Sequence, residues 1–97
     1  MPKGRGFRGE NPVSRHTIPG RKPNHRVVVG WDPPLVTFFV QIIDPTLPDE
    51  EQVIHWVGAD YPGQISTLVK LMDAMIPYAK MPPPILAQLL YDRERDA

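Results

Sequence analysis

Leu35-Val36-Thr37-Phe38-Phe39-Val40-Gln41-Ile42-Ile43 is the stretch from which the fold follows. It carries no charge, and its β-branched and aromatic side chains suit a pleated backbone. Alternation sends Leu35, Phe39 and Ile43 to one face and Val36, Phe38, Val40 and Ile42 to the other. A strand that is apolar on both faces belongs inside a sheet, covered on each side by helices, by the N-terminal segment or by a second copy of the chain.

Upstream, Val27-Val28-Val29 forms a second strand that Gly30 stops, and Gly30-Trp31-Asp32-Pro33-Pro34 forms a hairpin loop too poor in backbone donors to continue a ladder. Downstream, Asp44 to Glu51 is an acidic loop, and Gln52 to Val57 is a further strand closed by Gly58. The expected sheet is a three-stranded antiparallel meander with Leu35 to Ile43 central and the other two strands at its edges. Beyond Asp60-Tyr61-Pro62-Gly63 the period becomes helical, with Leu68, Leu71, Met72, Met75 and Ile76 on one stripe and Ser66 as N-cap. Pro77 closes this helix, and Pro84 opens a second one carrying Ile85, Leu86, Leu89 and Leu90. The fold class is therefore α+β, with two C-terminal helices packed on one face of the sheet.

The opposite end of the chain has another character. Four prolines and four glycines precede His25, and no apolar period runs through them. Residues 1–25 are expected to form a disordered basic arm, residues 26–92 the α+β domain, and residues 93–97 a frayed charged end. The first 26 residues hold seven of the eleven Lys and Arg residues and one of the eleven acids, Glu10. The formal net charge of zero thus combines a basic arm with an acidic body, a division that favours an anionic partner.

Several chemistries are excluded. Cysteine is absent, which removes disulfides, thiolate metal sites and a cysteine nucleophile. No apolar run approaches the roughly 20 residues of a membrane span, and no signal-peptide pattern opens the chain, so a cytoplasmic protein away from membranes is expected. His16, His25 and His55 share no metal-ligand spacing, the serines and threonines include no nucleophile elbow, and no glycine-rich turn cradles phosphate. The sequence thus specifies no catalytic residue, metal ligand or cofactor, and a non-catalytic role is expected. His55, on the last strand, is the histidine expected to be partly buried.

Two surfaces remain as candidates. In the arm, Lys3, Arg5, Arg8, Arg15, Arg21, Lys22 and Arg26 would meet phosphates or an acidic protein surface, and Phe7 would stack on an unpaired base. In the turns, Trp31, Pro33, Pro34 and Tyr61 would form a rigid anchor for another protein, although such a tryptophan more often folds over its own core. The first surface implies a small binding protein for nucleic acid or nucleoprotein. The second, together with the free sheet face, implies an adaptor or regulatory subunit, and either is compatible with a homo-oligomer.

Overall fold

The computed structural model of the chain describes residues 13–96. Its elements run β1 (His16–Pro19), β2 (Arg26–Asp32), β3 (Thr37–Ile43), a 3-10 turn (Asp49–Glu51), β4 (Val53–Val57), α1 (Leu68–Met75) and α2 (Pro83–Asp96). The expected α+β class holds, but the sheet has four antiparallel strands rather than three, in the order β1-β2-β3-β4. The additional strand lies inside the segment expected to be an arm. His-Thr-Ile-Pro shows little strand signal, yet it pairs with β2 from His16↔Val29 to Pro19↔Arg26 and buries Ile18. The partner strand supplies what local propensity lacks: an uncovered ladder edge and a row of valines for Ile18 to pack on.

With β1 in place, β2 is interior and both central strands are strongly apolar. β2 is also longer than expected, because Gly30, Trp31 and Asp32 continue the ladder opposite Phe39, Phe38 and Thr37. Gly30 is a close-approach position rather than a stop. A Cβ there would lie 1.9 Å from the Ser14 carbonyl oxygen and 2.6 Å from the Phe39 ring, so only glycine lets the Ser14 backbone and Phe39 approach. The loop itself is residues 33–36, closed by Val36 N–H to Pro33 O and by Leu35 N–H to the Asp32 carboxylate. Val36 takes φ 50° there, an unusual conformation for a β-branched residue.

Both helices cover the face that displays Ile18, Val27, Val29, Trp31, Phe38, Val40 and Ile42, and Leu71, Met75 and Leu89 close the core over it. Trp31 is 4% exposed and meets the Phe38 ring edge-on at a centroid distance of 4.9 Å. It is therefore a core residue, not part of an exposed anchor. α1 is capped by Thr67 rather than Ser66, since the Thr67 hydroxyl accepts the Lys70 N–H. α2 runs on through the segment expected to fray, because Asp92 falls one helical turn after Leu89 and faces inward at 4% exposure.

In the register of β3 with β4, Ile42 opposes His55 while Ile43 opposes Val53, so Ile54 is the extra residue of a bulge. β4 is an edge strand, and Val53, Ile54, His55 and Trp56 are all exposed, which corrects the expected partial burial of His55. Among the described residues no helix is long and apolar enough to cross a membrane.

Candidate nucleic-acid interface

Neither helix lies on the second face of the sheet. The pairings Thr17↔Val28, Val28↔Gln41 and Gln41↔Trp56 lay one row of side chains straight across it. In the next row the Phe39 ring lies across Gly30, while on the β4 side Gly58 presents no side chain. Gly58 has φ +100°, and a Cβ there would sit 2.3 Å from the Phe38 carbonyl oxygen, so the position stays bare. A groove of about 250 Å³ results, lined by Val13, Arg15, Asp32, Phe39, Gln41, Trp56, Gly58 and Ala59.

The chemistry of this groove is aromatic and cationic. Arg15 donates from Nη2 to the Gln41 side-chain oxygen at 3.0 Å, and its guanidinium carbon stands 6.0 Å from the Phe39 ring centre. Trp56 is 53% exposed at the groove's edge. Asp32 also lines the groove, but its Oδ1 accepts the Leu35 N–H of the β2–β3 loop. Alternation along β2 places Arg26 on the same face, so the strands present two cations and one acid there. The other described acids lie in the loops, the 3-10 turn and the helices.

The candidate residues are thus distributed over several places. Lys3, Arg5, Phe7 and Arg8 lie outside the described residues. Arg15 lines the groove; Arg26 faces the same side of the sheet but stands at the far end of β2, next to the β1–β2 turn that holds Arg21 and Lys22 beside Tyr78. Of the four protein-anchor candidates, Trp31 is in the core, Pro33 is half-buried, and Pro34 and Tyr61 are exposed on two loops tied by Gly63 N–H to Leu35 O. Sequence reasoning did not single out Trp56, Phe39 and Gln41 as a group. The alternation of β3 separates Phe39 from Phe38, but the bulge in β4 conceals which face Trp56 takes.

A polar cluster joins β1 to α2. His16 Nε2 lies 2.7 Å from Asp92 Oδ2, Gln88 donates to Oδ1 at 3.0 Å, and the Ser14 hydroxyl also bonds this carboxylate. Burial pushes the Asp92 carboxyl up, and the bonds from His16, Gln88 and Ser14 together outweigh it and hold the group below its ordinary value. Serine, histidine and aspartate here do not form a catalytic relay. The carboxylate stands between the other two, bonded to both, so the histidine does not face the hydroxyl, whose Oγ also accepts the Trp31 N–H. At the other end, His25 Nε2 lies 3.6 Å from Asp44, whose carboxyl is held low chiefly by the Thr46 hydroxyl and N–H. Among the described residues no group of three or more His, Asp or Glu side chains is placed to hold a metal ion.

Comparison with known proteins adds no relative. No protein-family model matches the chain, and no curated protein and no solved structure matches it. The functional argument rests on the residues and their geometry.

Proposed function

We propose that this is a non-catalytic binding protein that takes an anionic partner, single-stranded nucleic acid, on the open face of its sheet. Trp56 stacks on a base, Arg15 and Arg26 meet phosphates, and the basic residues before Val13 add charge along the strand. The observation that supports this most is a convergence. The groove beneath the exposed Trp56 is also lined by Val13 and Arg15, so the chain that follows the basic N-terminal residues enters the fold beside an exposed indole and a guanidinium. The body is acidic overall, but on the strands of this face only Asp32 is negative.

The test is oligonucleotide affinity across a salt series for the full chain, a variant lacking residues 1–12, and Trp56→Ala. A deletion to residue 25 would remove β1 and is not informative. Losing Lys3, Arg5 and Arg8 should flatten the salt slope by about 2, at roughly 0.7 per phosphate contact on single strands. Trp56→Ala should cost about 1–3 kcal/mol, the scale of one stacked base. Equal weak binding by all three proteins would overturn the proposal.

A second reading is supported by β4. Val53-Ile54-His55-Trp56-Val57 is an edge strand without Asp, Glu, Lys or Arg and is open along its length, a suitable template for an added strand from a protein partner or a second copy. A concentration-dependent mass in sedimentation that survives removal of residues 1–12 would favour this adaptor role.

A further inference from the structure

A second groove, of about 220 Å³, lies between the β1–β2 turn and the C-terminal end of α1, lined by Arg21, Lys22, His25, Ile54, Pro77 and Tyr78. We propose that it is a separate binding site for a phosphate monoester that also carries a flat ring, a molecule the size of a nucleoside monophosphate. The site does not rest on the open-face reading. It sits at the opposite end of β2 and beside α1, on the helix side of the sheet.

Two features point to the phosphate. Arg21 is held at two points, its N–H donating to Tyr78 O at 2.7 Å and its Nε to Ile76 O at 2.7 Å. The Nε bond sets the plane of the guanidinium and satisfies a carbonyl at the end of α1, and among the described residues no partner takes its terminal nitrogens. A fork fixed in advance loses little side-chain entropy when it binds, which is why phosphate sites favour arginine. Lys22 is next to it, exposed, and makes no ion pair among the described residues. His25 completes the basic wall, and the acid nearest it, Asp44, is already engaged with Thr46 through bonds of 2.6 Å and 3.0 Å.

The opposite wall points to the ring. Ile54 reaches this side because of the β4 bulge, and the Tyr78 ring is supported by His55 at 5.4 Å. Together with Pro77 they form an apolar surface facing the cations. The volume is below the roughly 300–1,000 Å³ of sites for drug-sized molecules, which suits one small ligand.

Titration of the full chain with cytidine 5′-monophosphate, followed by amide chemical shifts, tests the site, with inorganic phosphate and cytidine as separate arms. Saturable shifts at Arg21, Lys22 and Tyr78 are expected with the nucleotide, and about tenfold weaker ones with phosphate alone. Lys22→Ala, at an exposed turn position, should leave the thermal midpoint unchanged and weaken nucleotide binding by about tenfold, the scale of one charge-assisted bond. Unchanged affinity in Lys22→Ala would overturn the proposal. So would shifts confined to Arg15, Phe39 and Trp56, an outcome that would leave the open-face reading standing.

Discussion

The two faces of the sheet are built from neighbouring residues in the same strands, yet they are covered differently. On one face Phe38, Val40 and Ile42 are sealed under Leu71, Met75 and Leu89. On the other, Phe39 and Gln41 are 4% and 5% exposed with Arg15 against both, no helix lies over them, and Trp56 stands half in solvent. Helices bring continuous apolar surface to a sheet, whereas a single arginine laid over a ring shields it and keeps its charge available. The difference shows how one strand that is apolar on both sides can be sealed by helices on one face and left without a helix on the other.

The comparison can be broken most sharply at Phe38. Phe38→Ala empties a fully buried site and should cost about 3–5 kcal/mol in urea unfolding. A loss as small as that of a surface change would show that the helix layer does not hold the fold.

An intermediate effect is expected at Asp92, which fastens β1 to the helix layer. Asp92→Asn keeps the shape but exchanges an ionised acceptor for a neutral amide, and should cost about 1–3 kcal/mol at about pH 7. The same group links stability to acid. The folded chain holds this carboxyl below its ordinary value of 3.8, so on acidification the unfolded chain takes up the proton first. Its contribution is complete above that value and is lost as pH falls through the lower, folded value. Unfolding free energies measured from about pH 7 to about pH 3 should therefore fall less steeply in Asp92→Asn than in the natural chain. Asp44, held low by Thr46, keeps some acid-side slope in both.

The smallest change in stability is expected at Trp56. Trp56→Ala should move the unfolding free energy by no more than about 0.5 kcal/mol, as an exposed position away from special features does. Under the proposed function its effect falls on oligonucleotide affinity. If this variant were instead strongly destabilised, the second face would be part of the core and the contrast between the faces would fail.

Much of the architecture is legible in residue order. The alternation in Leu35 to Ile43 marks a central strand, the spacing from Leu68 to Met75 marks α1, and Pro77 and Pro84 mark the boundary between the helices. β1 was not legible, because a strand of four residues with one buried apolar side chain takes its stability from the partner it pairs with. The burial of Asp92, at the expected edge of the domain, was not legible because its partner, His16, lies 76 positions away in the chain. The candidate site was legible in composition but not in place. Arginines crowd the first 26 residues, and nothing local separates Arg15, which reaches the open face, from Arg21, which caps α1.

By itself, the sequence determined the α+β class, the antiparallel order of the main strands, the helix pair and the opposed charges of the two ends, since these follow from period, propensity and composition over short windows. Only the tertiary structure decided which tryptophan is exposed. Trp31 and Trp56 both lie in strands, and pairing register together with one bulge turned the first into the core and the second toward solvent, a choice made by contacts between residues distant along the chain.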